Sequence, residues 1–156
     1  MIQGRHSSGS VNLAAHPIEP AEQIHAMPVE SSDLETACAL YASGLSRIAG
    51  SPPVLDLVHL GLGPDGHTAS LVPGDPVLNV KDADVAITGV YQGRRRMTLT
   101  YPIINRARQI LWVVTGAEKV EMLDRLLDRD EHMPAGRIRC GTRVIADQAA
   151  AGQRRA

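Results

Sequence analysis

"GLGPDGHTASLVPG", residues 61–74, follows directly on the apolar run "LDLVHL" at 55–60. A short apolar run closed by clustered glycines reads as a buried strand ending in a tight turn. The stretch holds four glycines, two prolines, Asp65 and His67. Gly61, Gly63 and Gly66 also spell G-x-G-x-x-G, the spacing of a dinucleotide-binding turn. Three readings are open: that turn, a catalytic loop built around His67, or a plain strand-to-helix turn whose histidine caps the helix.

The dinucleotide reading needs an acid at the end of the next strand, about 20 residues on. Asp82 and Asp84 lie near that distance, but both precede the next apolar run, and Pro64 stands inside the turn. The pattern therefore fits poorly. The catalytic reading rests on Asp65 and His67, two apart in a loop beyond the carboxyl end of a strand, where ligands collect in open α/β sheets. An imidazole there can take a proton from water. Amides freed by the glycine turn, and by a helix start at Thr68, would suit an anion.

Outward from this loop the chain alternates strands and helices. Upstream, a helix is expected over 33–49, with Ser32 and Glu35 as a capping box. Leu34, Ala37, Cys38, Tyr41, Leu45 and Ile48 give it one apolar face, and Gly50 and Pro52 close it. Downstream, "TASLV" suits a short helix stopped by Pro73 and Gly74. "ADVAITGV" and "RMTLTY" suit strands, and "PIINRA" a short helix with Pro102 at its first position. "QILWVVTG" is a continuous apolar run suited to a strand covered on both faces. A helix over 117–129 with Val120, Leu123, Leu126 and Leu127 on one side, a strand "TRVIAD" and a helical "QAAAG" complete the order. This alternation predicts one α/β domain with a mostly parallel sheet and flanking helices. Residues 1–10 are expected to be a flexible segment, 11–150 the domain and 151–156 a flexible tail.

Composition narrows the function classes. The chain has 156 residues and a net charge of −1, which gives no electrostatic case for nucleic acid or an anionic membrane. Aromatics are 3% with no Phe, against base-stacking platforms. No stretch approaches a membrane span, and "MIQGRHSSGS" has no apolar signal core, so a cytoplasmic protein is expected. Cys38 and Cys140 are far apart and form no C-x-x-C pair. A reduced state is the simpler expectation, with Cys38 a packed thiol on its helix. The histidines at 6, 16, 25, 59 and 132 show no ligand spacing, and His59 is expected in the core or on a sheet face. There is no G-x-S-x-G elbow and no H-E-x-x-H, so no serine nucleophile, metal or other cofactor is called for.

"DLVHLGLGPDGHTASLVPG" resembles the signature of the 6-phosphogluconolactonases, in the glucosamine-6-phosphate isomerase/6-phosphogluconolactonase family, with Val72 where that signature usually has Phe. The sister deaminases share the G-x-D-G-H core but continue with an I-A-F-N-E-P-like segment, unlike "TASLVPG". "RMTLTYPIINRARQILWVVTGAEKVEML" is similar to the family's R-x-T-L-T-x-P-x-I-N segment, strand and G-x-x-K helix start. "MPAGRI" and "VIADQAAA" are similar to its closing segments. Family members are usually longer at the N-terminus, with a phosphate loop there and a D-E-R segment. "SSGS" at 7–10 is too close to the signature to stand for that loop. The chain is thus expected to be Rossmann-like and to lack the family's N-terminal strands.

The resemblance implies hydrolysis of 6-phospho-D-glucono-1,5-lactone to 6-phosphogluconate in the oxidative pentose phosphate pathway, without metal or cofactor. It makes His67 the general base and Asp65 the residue that shapes the turn or orients the imidazole. Loop amides at Gly63 and Gly66 would face the oxyanion, and Arg96 and Lys119 the phosphate. Asn105 would hold a turn or touch sugar. The alternative is an incomplete member of the family that at most binds sugar phosphates. The one expected partner is the small sugar-phosphate lactone.

Overall fold

The computed structural model describes residues 21–139 and 142–152. The expected flexible segment at 1–10 and most of the expected tail lie outside these, as does Cys140. The first long element, α1 (Leu34–Ala49), is capped one residue later than the S-x-x-E pattern suggests. Asp33 is the N-cap, and its carboxylate accepts from the Thr36 N–H at 3.0 Å and from the Thr36 hydroxyl at 2.6 Å. A carboxylate satisfies the free amides of a first turn better than a hydroxyl, because its charge also meets the helix dipole. Ala37 is buried and Cys38, Tyr41 and Leu45 are half-buried as expected, but Ile48 is 55% exposed.

Two sheets follow. β1 (Leu57–Leu60), β4 (Gln109–Val114) and β5 (Thr142–Ala146) form a parallel sheet in the order β1-β4-β5. Between β1 and β4 the chain makes an antiparallel pair, β2 (Val85–Ile87) with β3 (Met97–Leu99), separate from the parallel sheet. Then comes α2 (Tyr101–Arg106), with Pro102 second rather than first. α3 (Val120–Leu127) follows β4 after a 3₁₀ turn at Ala117–Lys119, so the expected 117–129 helix is shorter at both ends. Met122, Leu123 and Leu126 are its buried residues, while Leu127 is exposed. α4 (Gln148–Ala151) closes the described chain, capped by Asp147, which accepts from the Ala150 N–H at 2.7 Å.

The segment "TASLV" forms no helix. Thr68 and Leu71 bridge each other across a tight turn with Ala69 at φ 51°. The Thr68 hydroxyl donates to the Gly61 carbonyl at 2.8 Å, which spends it on the loop before it. Local bonding to the preceding strand end thus outcompetes helix initiation.

The core lies on one face of the parallel sheet. Val58, Leu60, Ile110, Trp112 and Val114 point to it, joined by Ile103 and Ile104 of α2, Leu71 of the loop and Met133. The sole Trp is fully buried, with its Nε1 lacking a partner among the described residues. The continuous apolar run of β4 predicts cover on both faces, and here the structure differs. Burial alternates along β4, with Gln109 and Val113 exposed and Leu111 half-buried. The register puts Leu57 beside Gln109, His59 beside Leu111 and Val113 beside Ile145, all on this second face. His59 is therefore an exposed sheet-face residue and not a core one. Among the described residues no helix is long and apolar enough to cross a membrane.

Candidate active site

β1 ends at Leu60 and the glycine loop leaves from its carboxyl end. The loop closes on itself: the Gly63 N–H donates to the His67 carbonyl at 2.8 Å and the Gly66 N–H to the Gly63 carbonyl at 3.1 Å. Each of these glycines answers a close approach. A β-carbon on Gly63 would stand 2.1 Å from His67 Nδ1. Gly66, at φ +78°, would bring one to 2.8 Å from the Met133 Cβ. A side chain is excluded at both positions by contact, and at Gly66 by the left-handed backbone as well. The 130–136 segment is the buttress behind Gly66, and the Ala135 N–H donates to the Gly66 carbonyl at 3.0 Å.

Asp65 both shapes the turn and orients the imidazole. Its Oδ1 accepts from the His67 backbone N–H at 3.1 Å and lies 2.5 Å from His67 Nδ1. Partial burial pushes the Asp65 carboxyl up, but the hydrogen bonds from the His67 ring and backbone outweigh it and hold the group below its ordinary value. The carboxylate is thus ionised near neutral pH and can only accept, so the neutral form of the imidazole carries its proton on Nδ1 and its lone pair on Nε2. Nε2 has no hydrogen-bond partner among the described residues, and the side chain is 26% exposed.

Two expectations about anion binding change. The Gly63 and Gly66 amides are engaged inside the loop, so neither is presented to an oxyanion. No helix begins at Thr68, so the loop has no helix N-terminus to offer.

The two cationic residues are placed by different elements. Arg96 enters β3, and its arm pairs with the preceding one: the Thr88 N–H donates to the Arg96 carbonyl at 2.8 Å and the Arg96 N–H to the Thr88 hydroxyl at 3.0 Å. The hairpin ends in a two-residue turn, with Gln92 at φ 51° and Gly93 at φ 75° between Tyr91 and Arg94. Both central angles are positive, as a tight hairpin of native twist demands. The Arg96 guanidinium lies over the Tyr91 ring, 5.1 Å from its centroid, and the same ring stands 6.4 Å from the His67 imidazole. Lys119 follows β4, whose parallel neighbour is β1, so it leaves the same carboxyl edge as the glycine loop. It is half-buried there, with no carboxylate partner among the described residues.

Other motif residues serve the scaffold. Thr98 and Thr100 of the R-x-T-L-T segment are buried. Thr98 accepts from the Ser70 N–H at 3.1 Å, tying β3 to the signature loop, and Thr100 donates to the Ala83 carbonyl. Asn105 accepts from the Arg139 N–H at 3.0 Å and donates to the Arg137 carbonyl at 3.4 Å, so it holds a chain segment. Three residues that the sequence reading passes over also matter. Tyr91 joins Arg96 to His67. Asp75 accepts from the Gly89 N–H at 3.0 Å and so fixes the hairpin to the end of the signature. Asp147 accepts from the Gly116 N–H at 3.2 Å and braces the exit of β4. Only Asp147 left a sequence trace, as a cap before an alanine run. Two clefts, one between residues 24–28 and α1 and one lined by Lys81, Tyr101 and Arg137, lie away from His67.

A parallel sheet whose first strand ends in a loop carrying a hydrogen-bonded Asp65–His67 pair defines the class: an α/β domain with titratable side chains at the carboxyl edge of its sheet. Residues 8–146 match the family model of the glucosamine-6-phosphate isomerases/6-phosphogluconolactonase. The chain belongs to that family. It is 41% identical over 111 residues to a 6-phosphogluconolactonase of Synechocystis sp., covering 69% of this chain and 46% of that protein. It is 38% identical over 134 residues to one of Rattus norvegicus, covering 81% of this chain and 50% of that protein. Among solved structures, a devB protein superposes with a TM-score of 0.76 at 27% identity, over 85% of this chain and 59% of its own. A 6-phosphogluconolactonase from Trypanosoma brucei does so with 0.61 at 25% identity, over 78% and 56%. This chain spans about half the length of the curated relatives it matches.

Proposed function

We propose that this chain carries the base of a 6-phosphogluconolactonase and that His67 Nε2 activates the water. The observation behind this is the 2.5 Å Asp65–His67 contact, which orients the ring and leaves Nε2 unpartnered among the described residues. Water gives a proton to Nε2 as its oxygen bonds to the lactone carbonyl carbon, and the carbonyl electron pair moves to oxygen. The tetrahedral adduct then reforms the carbonyl and breaks the bond to the ring oxygen. That oxygen takes the proton back from the imidazolium, and the product is 6-phosphogluconate. Arg96 and Lys119 supply positive charge for the phosphate. Asp65 remains ionised throughout and stabilises the imidazolium.

The experiment is acid release from freshly prepared lactone by the chain and by His67→Ala, with far-UV circular dichroism confirming that both fold. A rate above spontaneous hydrolysis that is lost in the variant is expected; equal rates end the claim for His67. One observation favours a second reading, a domain that binds sugar phosphates without turning lactone over. The Gly63 and Gly66 amides point inward, which leaves the oxyanion without the loop donors such chemistry favours. Saturable binding of 6-phosphogluconate with no turnover identifies that case.

A further inference from the structure

We propose that Tyr91 is a positioning residue that joins the phosphate-binding cation to the base, so that a sugar phosphate is received by a guanidinium and an imidazole set against one aromatic ring. The proposal rests on the site reading above and adds a residue to it.

The geometry is specific. The Arg96 Cζ lies 5.1 Å from the Tyr91 centroid, within the range of an attractive cation–π contact. The His67 and Tyr91 rings are 6.4 Å apart and inclined by 58°, a tilted aromatic pair. Arg96 also donates to the Gln92 side-chain oxygen at 3.2 Å, so the turn fixes the guanidinium from a second side.

Arg96 shares the lack of a carboxylate partner with Arg47, Arg94, Arg129, Arg137 and Arg143 among the described residues, and what sets it apart is the aromatic ring it lies over. Arg95 pairs with Glu35, Arg106 with Asp84, Arg108 with Asp56, Arg125 with Asp130 and Arg139 with Glu131. Arg96 is half-buried and, among the described residues, has only a neutral amide and a π-face as partners. A guanidinium kept from carboxylates but held in place is suited to a doubly charged phosphate.

Nor is the arrangement left to a free loop tip. Asp75 holds Gly89 on one arm, and Thr98 holds Ser70 of the signature loop from the other. The hairpin and the His67 loop are thereby bonded together both before and after Tyr91 in the chain, which fixes the ring against both groups.

The test uses the whole chain with Tyr91→Phe, Tyr91→Ala and the parent, whose melting curves check folding. Without ligand, the His67 Cε1 proton resonance, assigned with His67→Gln, is expected to move in Tyr91→Ala and stay in Tyr91→Phe, because the ring current is lost only in the first. With 6-phosphogluconate as probe, Tyr91→Ala is expected to bind about 3- to 30-fold more weakly, the span of a partly desolvated cation–π contact, while Tyr91→Phe binds like the parent. Gluconate, which lacks the phosphate, should bind the two variants equally. The proposal is overturned if Tyr91→Ala leaves the His67 resonance in place, if it binds the phosphorylated product as tightly as the parent, or if the parent shows no saturable binding. Product binding without lactone turnover sinks the hydrolase reading and leaves Tyr91 standing. Turnover with product affinity indifferent to Tyr91 does the reverse.

Discussion

Gly63 and His67 are in contact across the loop so closely that the imidazole occupies the place where a side chain at 63 would begin, 2.1 Å from Nδ1 to a built β-carbon. No other glycine of the signature approaches the imidazole: Gly66 meets Met133, and Gly61 and Gly74 meet nothing nearby. Gly63→Ala must therefore displace the imidazole or open the loop. We expect activity to fall on the order of 10²-fold, the cost of misplacing a reacting group by about an ångström. Stability should fall by roughly 1–3 kcal/mol, as for an overpacked site. Steady-state rates with lactone and a denaturant titration check the two numbers.

Asp65→Asn keeps the size of the side chain but replaces an acceptor-only group by one that can also donate. The imidazole then loses the charge that selects the Nδ1–H tautomer. The rate should drop by about 10²- to 10⁴-fold with little change in affinity for 6-phosphogluconate. A variant that loses affinity and keeps its rate would show that the carboxylate holds ligand instead.

The buttress behind the loop is sensitive to acid. Asp130 accepts from the His132 backbone N–H and ring, at 2.9 Å each, and from Arg125 at 2.7 Å. The His132 backbone bond first, then the Arg125 and His132 side chains, bring the Asp130 carboxyl down to about 2. A carboxyl lowered on folding contributes stability that is fully present above its unfolded value near 4 and is lost as pH falls toward about 2. In Asp130→Asn this part of the acid titration should vanish. Circular dichroism between pH about 4 and about 2 measures it, and identical acid transitions would refute the assignment.

The second face of the parallel sheet exposes Leu57 at 52% and Ile145 at 57%, with Val113 beside Ile145. Apolar sheet surface of this kind associates in water. Sedimentation of the purified chain should show self-association that weakens in Ile145→Thr with Leu57→Thr. A compact monomer at all concentrations contradicts the expectation.

Several elements were legible because their signals are local. The apolar run before a glycine cluster marked β1, the helical spacing of Ala37, Cys38, Tyr41 and Leu45 marked α1, and the alternation of strands and helices marked the parallel sheet. Where local signals competed, the reading slipped. Ser32 and Asp33 are both good caps, and the choice fell to Asp33 with the Ser31 hydroxyl beside it. "TASLV" has helix-compatible residues, yet Thr68 bonds backward to Gly61.

By itself the sequence determined the strand-then-glycine loop, the placing of Asp65 and His67 two residues apart within it, and the family to which these belong, since all are matters of residue type and short spacing. Tertiary structure alone decided that one face of the sheet is exposed among the described residues and that the Tyr91 ring meets the His67 imidazole as well as Arg96. The reason is physical. Which face is covered and which ring meets the His67 imidazole depend on contacts between segments distant in the chain, and no short-range pattern encodes them.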